Sequence, residues 1–117
     1  MNRYETGLSG ERAAEKWLAK KRGMRCEARR FRAAGGEIDL VMLEGETVVF
    51  VEVKTRPKGP QGAGIQAVTP DKQRRMTQAA MMYLIKRGWT NRPARFDVVE
   101  ISAEGILHVP GAFIARR

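Results

Sequence analysis

The amino-acid sequence predicts an α/β protein whose mixed central sheet is flanked by helices. Residues 9–22 and 70–87 carry apolar side chains at helical spacing, whereas residues 37–54 follow the pattern of two strands joined by a tight turn. Further strand patterns precede and follow these segments, which gives the element order αβββαβ. A chain of 117 residues is long enough for one core but not for two, so residues 1–117 are expected to form a single domain.

The first predicted helix runs from Ser9 to Arg22. Its apolar stripe repeats every three to four positions and consists of Ala13, Ala14, Trp17 and Leu18. Gly23 is well placed to end this helix, because glycine readily follows a helix C-terminus. Glu11 borders the inward face near the helix start, and from this helix alone its simplest explanation is the favourable interaction of an acid with the helix dipole.

A first strand is predicted from Met24 to Arg30, where apolar residues alternate with charged ones. Cys26 falls on the apolar side of that strand and is interpreted as a packing residue. The segment from Phe31 to Gly36 is interpreted as a basic loop, in which the glycine pair permits a sharp turn or the close approach of a ligand.

Charged residues interrupt the most apolar part of the chain, which is the predicted hairpin. Asp39 lies within IDLVML, and Glu52 and Lys54 lie within VVFVEVK. A four-residue turn from Glu44 to Thr47 places Asp39 opposite Glu52, with Lys54 further along the same face. Two carboxylates so close repel each other unless a cation lies between them, and charges are costly to bury unless they are paired or metal-bound.

The second helix is predicted from about Pro70 to Arg87, with Thr69 as its N-cap and Gly88 after its end. Its buried stripe consists of Met76, Ala79, Ala80, Tyr83 and Leu84, and Met81 and Met82 are interpreted as packing residues. Lys72 extends the inward face at the helix start. Before this helix, the segment 56–64 is rich in glycine, proline and basic residues and is interpreted as a mobile loop over a phosphate backbone, with a plain connection as the alternative.

Two final strands are predicted at 95–101 and 106–109. Asp97 precedes an apolar pair and could either support the site residues or be a structural carboxylate, and the structural interpretation is favoured. His108, the single histidine, is interpreted as a surface or packing residue. The segment 112–114 is expected to pack onto the core.

The charge of the chain indicates a nucleic-acid partner, because a net charge of +9 and a pI near 10.4 are typical of small domains that bind DNA or RNA. The alternative explanation of this charge is solubility or non-specific adhesion, which charge alone does not distinguish from specific binding. The single cysteine excludes an internal disulfide and a cysteine-rich zinc site. No apolar run approaches the ~20 residues that span a bilayer, and no signal peptide is recognisable at the N-terminus. A cytoplasmic protein without membrane contact is therefore expected.

Asp39, Glu52 and Lys54 are the residue types that phosphodiester hydrolysis requires. Two carboxylates can hold Mg²⁺, which polarises a phosphate and lowers the pKa of bound water. A lysine on the same strand face can position the attacking water or stabilise the added negative charge of the transition state. The alternative is a structural ion pair between Lys54 and either carboxylate.

The motif Asp39…Glu52-Val53-Lys54 within the αβββαβ order resembles the PD-(D/E)xK superfamily of restriction-endonuclease-like nucleases. The segments GEIDLV, VVFVEVKTR and RFDVV, together with Ala112-Phe113, are more specifically similar to the YraN family of bacterial proteins grouped with the endonucleases. The likeness covers nearly the whole chain. It implies a restriction-endonuclease-like fold and an endonuclease, dependent on Mg²⁺ or Mn²⁺, that hydrolyses phosphodiester bonds of DNA, with branched or structured DNA among the candidates.

The resemblance also implies roles for the hairpin residues. Asp39 and Glu52 would bind the metal together with the backbone carbonyl of Val53, and Lys54 would be the catalytic lysine. Ile38 stands where the superfamily nominally has a proline before the aspartate.

Two helical positions are implicated by the same resemblance. Glu11 matches an acidic residue that such nucleases, archaeal Holliday-junction resolvases among them, carry on the first helix, which implies a catalytic and metal-binding role. Lys72, with Gln73 beside it, matches polar positions on the following helix that face the site.

Three functions stay open at this point. The first is a metal-dependent endonuclease, and the second is a non-catalytic nucleic-acid-binding module that retains the fold. The third is a structural or partner-binding protein in which the hairpin charges form an internal ion pair. The joint presence of Asp39, Glu52 and Lys54 favours the first. Recognition through DNA shape and phosphates is expected, and a homodimer is considered because resolvase-like relatives cut as dimers.

Overall fold

The structure is a computed structural model that describes residues 2–56 and 68–116. Within these residues it contains two helices and five strands. In chain order they are α1 (Arg3–Arg22), β1 (Arg25–Ala33), β2 (Gly36–Glu44), β3 (Thr47–Arg56), α2 (Pro70–Arg87), β4 (Ala94–Ser102) and β5 (Gly105–Phe113).

The five strands form one mixed sheet in the order β1-β2-β3-β4-β5. Neighbouring strands are antiparallel except β3 and β4, which are parallel. A tight hairpin cannot join parallel strands, and here α2 lies in the connection between them. The predicted α/β class is confirmed, and the arrangement is consistent with a restriction-endonuclease-like core.

Each face of the sheet is covered by one helix, because the strands carry apolar residues on both sides. The core between the sheet and α2 includes Val41, Leu43, Val48, Phe50, Met76, Ala79, Ala80, Tyr83, Leu84, Phe96 and Val98. The core between the sheet and α1 includes Ala14, Leu18, Leu40, Met42, Val49, Val51 and Val99. Residues of the hairpin therefore alternate between the two cores, as their period of two predicts.

Helix α1 begins at Arg3, six residues earlier than the predicted Ser9, so that prediction of its start was wrong. Asn2 caps the helix, since its side chain accepts a hydrogen bond from the backbone N–H of Glu5 at 2.8 Å. The apolar stripe used to predict the helix begins only at Ala13 and gives no signal for this first part. The predicted end is confirmed, with Gly23 in the left-handed conformation at φ 68°.

Strand β1 continues to Ala33, so the interpretation of Phe31 to Gly36 as a loop was wrong for most of that segment. Phe31 packs edge-on against Tyr83 of α2 with ring centroids 5.1 Å apart, and this burial keeps the chain extended beyond Arg30. The turn to β2 is short and contains Gly35 in the left-handed region at φ 76°.

Helix α2 has the predicted bounds, the predicted cap and the predicted end. Thr69 accepts a hydrogen bond from the backbone N–H of Lys72, and Gly88 is left-handed. The predicted buried stripe is confirmed, but Met81 and Met82 are 45% and 47% exposed. Their interpretation as packing residues was wrong, because they lie outside the arc of α2 that faces the sheet.

The C-terminal strands are longer than predicted, and β5 continues to Phe113, whose ring stacks on Phe96 at 4.7 Å. Ile114 is 84% exposed, so only part of the predicted tail packs on the core. Most of the basic loop predicted at 56–64 lies outside the described residues. Among the helices of the described residues, none is both long and apolar enough to cross a membrane.

Candidate active site

The register of the β2–β3 hairpin brings the two predicted carboxylates together. Leu43 pairs with Val48 as predicted, and Leu40 pairs with Val51 at the other end of the ladder. Glu44 also pairs with Thr47, so the connection is shorter than the predicted four residues. One step beyond the last pair, Asp39 and Glu52 lie side by side, and their side chains share a hydrogen bond.

Asp39 is held by the backbone of the neighbouring strand. Its Oδ2 accepts a hydrogen bond from the N–H of Val53 at 2.8 Å. Burial, followed by the hydrogen bond and negative charge of Glu52, raises the pKa of Asp39 to about 9. The carboxyl of Asp39 therefore carries a proton at neutral pH when no cation is bound.

Glu52 is 3% exposed and is surrounded by compensating groups. Its Oε2 contacts the ammonium of Lys72 directly and lies 3.7 Å from Nζ of Lys54. Burial alone would raise the pKa of Glu52, but the hydrogen bond with Asp39 and the charge of Lys72 lower it. Glu52 is thus the ionised member of the pair.

The two lysines differ in their surroundings. Burial, aided by the neighbouring Lys72, lowers the pKa of Lys54 below that of a free lysine. For Lys72 burial acts in the same direction, but the charge of Glu52 outweighs it and raises the pKa. Lys54 is therefore the more easily deprotonated of the two.

Asp39, Glu52 and Lys72 line a polar cleft of about 670 Å³ between α2 and the start of β2, together with Arg32, Glu37 and Arg75. The approach of these two elements is very close at Gly36. A Cβ atom there would lie 2.2 Å from the backbone oxygen of Arg75, so only glycine fits. This contact helps to bring the first turn of α2, which carries Lys72, against Glu52.

Glu11 lies beside this cluster but points to a different partner. Its carboxylate accepts hydrogen bonds from Nε and Nη2 of Arg30 at 2.9 and 3.1 Å. Its negative charge makes a further, smaller contribution to the raised pKa of Asp39. Glu11 reaches Arg30 because α1 covers the sheet face opposite the one that carries Asp39 and Glu52.

Within the described residues, the hydrogen bonds of Gln73 are not with the residues of the cleft. Its amide N–H donates to the carbonyl of Val68 at 2.9 Å, and its Oε1 accepts from Nε of Arg116 at 2.7 Å. The structure thus places Asp39, Glu52, Lys54 and Lys72 together, with Glu11 at their edge.

One residue beside the cluster was missed by the sequence reasoning. Glu100 is 1% exposed and lies next to Lys54 in the parallel register of β3 and β4. The signal was an acid inside the apolar run RFDVVEI, which is the same signal that identified Glu52. An acid within an apolar run therefore marks both β3, which carries Lys54, and its neighbour β4.

A second buried carboxylate has a structural environment, as predicted for Asp97. It is fully buried and accepts hydrogen bonds from Nε2 of His108 at 2.8 Å, Nε of Arg95 at 3.0 Å and the N–H of Gly111 at 3.0 Å. Burial would raise the pKa of Asp97, but these hydrogen bonds lower it. The network ties β4 to β5 on the α1 side of the sheet.

The donor set of the cleft fits a hard divalent cation. Among residues 2–56 and 68–116 no group of three or more histidine, cysteine, aspartate or glutamate side chains is arranged to hold a metal ion. Two adjacent carboxylates are nevertheless sufficient for Mg²⁺, which is commonly held by one or two carboxylates and completes its shell with water. Softer metals that require cysteine or several histidines do not fit.

Comparison with known proteins identifies similar bacterial chains. Residues 10–101 match the uncharacterised protein family UPF0102. A UPF0102 protein of Geobacter metallireducens is 45% identical over 111 residues, which cover 92% of this chain and 90% of the relative. Relatives from Hahella chejuensis and Symbiobacterium thermophilum are 41% and 46% identical, covering 93% and 81% of this chain and 90% and 80% of their own lengths.

Proposed function

The chain belongs to the uncharacterised protein family UPF0102, which is the YraN family, and from the chemistry of its cleft we propose that it is a metal-dependent endonuclease acting on DNA. The observation that carries the proposal is the pair Asp39 and Glu52, buried side by side at the head of an open polar cleft and flanked by Lys54. Asp39 differs from a structural carboxylate such as Asp97, which pairs with Arg95, because its hydrogen bonds are with Glu52 and the N–H of Val53.

Asp39 and Glu52, with the backbone carbonyl of Val53, are the groups that would hold Mg²⁺ or Mn²⁺. When bound, such an ion lowers the pKa of a coordinated water and offsets negative charge on the phosphate. As a metal ligand Asp39 would be ionised, so the chain would give up the proton of this carboxyl on taking up such an ion.

Lys54 acts on the reacting groups through its position and charge. Its ammonium lies 3.7 Å from Glu52 and is half-buried, so it is held near the carboxylate pair. There it orients the attacking water by hydrogen bonding and stabilises the negative charge that develops on the phosphate. Lys72, Arg32 and Arg75 supply further positive charge around the cleft, which suits a polyanionic substrate.

A second candidate is a nucleic-acid-binding module without turnover. It is favoured by the direct contact between the ammonium of Lys72 and Glu52, because that ammonium already neutralises the carboxylate. In this case the charges of the cleft bind phosphates and the carboxylate pair never takes a metal.

The test is cleavage of branched, single-stranded and duplex DNA with Mg²⁺ or Mn²⁺ by the parent and by Asp39→Asn and Glu52→Gln. We expect both variants to lose at least about 100-fold in rate, because a metal ligand is removed. Glu37→Gln is the matched control, since Glu37 lines the same cleft but pairs with Arg32 at 3.4 Å.

The endonuclease proposal is overturned if purified parent cuts none of these substrates, or if both variants cut as fast as the parent. Circular dichroism confirms that each variant is folded. Binding without cleavage by the parent supports the non-catalytic module instead.

A further inference from the structure

The outward face of α1 carries a row of cations. Arg12, Lys16 and Lys20 are exposed and follow one another at four-residue spacing, on the side of the helix opposite the fully buried Ala14 and Leu18. Consecutive members are separated by about 6 Å along the axis, because an α-helix rises 1.5 Å per residue. The three side chains therefore form a continuous basic row that turns by about 40° around the helix at each step.

Two acids of α1 near this row are paired with arginines of β1. Glu15 accepts two hydrogen bonds from Arg29, both at 2.7 Å, and Glu11 is held by Arg30 in the same way. The hydrogen bond from Arg29 lowers the pKa of Glu15, which keeps it ionised. Glu11 and Glu15 each precede a base in the sequence of α1, but both pair with arginines of β1 instead.

The row itself has no neutralising partner in the part of the chain that the structure describes. No ion pair of residues 2–56 and 68–116 includes Arg12, Lys16 or Lys20. Like charges at four-residue spacing repel one another on a helix, and a polyanion bound along them would relieve that repulsion. The positive charge of Arg12, Lys16 and Lys20 is thus uncompensated within the described residues and extends as a row along α1.

The row begins at the end of the sheet that carries the cleft residues. Gly10, two residues before Arg12, packs so closely on β3 that a Cβ atom would lie 2.3 Å from Oγ1 of Thr55. Thr55 directly follows Lys54 in the chain. A duplex lying along α1 would therefore pass the end of β3 that carries Lys54.

We infer that Arg12, Lys16 and Lys20 form a second phosphate-binding surface, which holds a DNA duplex flanking the segment in the cleft. This inference rests on the proposed function and names where the substrate outside the cleft is bound. The contacts are to phosphates, so the surface adds affinity without sequence preference. A membrane suits it less well, because the apolar face of α1 is buried in the core and has nothing to insert into lipid.

The experiment measures binding of a labelled DNA duplex in EDTA, by fluorescence anisotropy, at salt concentrations from about 50 to 200 mM. The test variant is Arg12→Gln/Lys16→Gln/Lys20→Gln. The matched control is Arg25→Gln/Arg74→Gln/Lys86→Gln, which also removes three positive charges from the +9 chain but takes them from other exposed positions.

We expect the slope of log affinity against log salt to become shallower by about 2.7 in the test variant, since each phosphate contact in B-DNA contributes about 0.9. Over the four-fold salt range the affinity of the parent then falls about 40-fold more than that of the test variant. The control variant keeps the slope of the parent.

Three results would overturn the inference. The parent fails to bind the duplex, both triple variants show the same slope, or anionic lipid vesicles bind the row in place of the duplex. Because no divalent metal is present and no cleavage is scored, the result is independent of turnover. If the test variant keeps the slope of the parent while the parent cleaves DNA in the separate cleavage assay, only the second phosphate-binding surface is refuted. If the slope of the test variant is shallower but the parent never cleaves DNA, only the endonuclease proposal is refuted.

Discussion

Replacing Asp39 by asparagine separates the charge of the carboxylate pair from its shape. The asparagine oxygen can still accept the hydrogen bond from the N–H of Val53, which is 2.8 Å long in the parent. Its amide N–H can donate to Glu52, as the protonated acid does. The variant therefore resembles the parent in the form that carries a proton on Asp39.

The expected effect on stability follows from the raised pKa of Asp39, which moves from 3.8 to about 9 on folding. Between these values the folded chain holds a proton that the unfolded chain has released. This contribution to stability is therefore complete below about pH 4 and is lost as the pH rises towards 9. Each pH unit changes the free energy of unfolding by at most about 1.4 kcal/mol, and by less here because Glu52 takes part in the same titration.

From about pH 5 to pH 8 we expect the parent to lose about 2 to 4 kcal/mol of unfolding free energy relative to Asp39→Asn. The measurement is urea unfolding in EDTA, followed by circular dichroism at several pH values. Asp71→Asn is the control, since Asp71 is 67% exposed and makes only surface ion pairs with Arg74 and Arg75. The difference between parent and control should stay constant with pH.

Metal addition completes this test. At pH 8, Mg²⁺ at about 100 times its dissociation constant should raise the unfolding free energy of the parent by about 2.7 kcal/mol and that of Asp39→Asn by much less. A parent–variant difference that does not change with pH refutes the shared-proton argument. Equal stabilisation of both proteins by Mg²⁺ refutes Asp39 as a ligand.

Three further substitutions probe the supports of the cleft and of the fold. Gly36→Ala should destabilise the protein by more than about 2 kcal/mol in urea unfolding, because the added Cβ meets the backbone of Arg75. In the control Gly35→Ala the added Cβ meets open space, so the loss should be only about 1 kcal/mol for the left-handed backbone. Equal losses would contradict the close approach of Gly36 to α2. Lys72→Met should lower the unfolding free energy in EDTA by about 1 to 3 kcal/mol. It should also enlarge the stabilisation by Mg²⁺, because the Lys72 ammonium that contacts Glu52 competes with the ion. A smaller Mg²⁺ effect in the variant would show that Lys72 assists metal binding. Asp97→Ala should lower the unfolding free energy by about 3 to 5 kcal/mol at neutral pH. In the parent, the stability that ionised Asp97 contributes is lost as the pH falls through its lowered pKa, and the variant lacks this contribution at every pH. An acid-unfolding midpoint that is the same in both proteins would be the contrary result.

Much of the fold was predictable because the signals are local. The bounds of α2 follow from Thr69, Pro70 and Gly88, and the hairpin register follows from alternation on both sides of a short turn. The same alternation places Asp39 and Glu52 on one face of the predicted hairpin. The resemblance to the YraN family is confirmed by the family match, whereas the catalytic roles of individual residues stay predictions.

The errors occurred where a distant contact decides local structure. Phe31 stays in β1 because it packs on Tyr83, which is 52 positions away in the numbering. Helix α1 starts early because of a cap at Asn2 and not because of an apolar stripe. Met81 and Met82 belong to an otherwise well-predicted helix, but their exposure depends on how far the sheet extends over its surface.

By itself, then, the sequence determined the fold class, the hairpin and the meeting of two carboxylates with a lysine, because alternation, caps and turns act over a few residues. Only the tertiary structure decided which partners those charges have. It set Lys72 on Glu52 through the close packing of Gly36 on α2, and it turned Glu11 towards Arg30 on the other face of the sheet. Such choices depend on the distance between elements far apart in the chain, and charge–charge energies vary steeply with that distance and with burial.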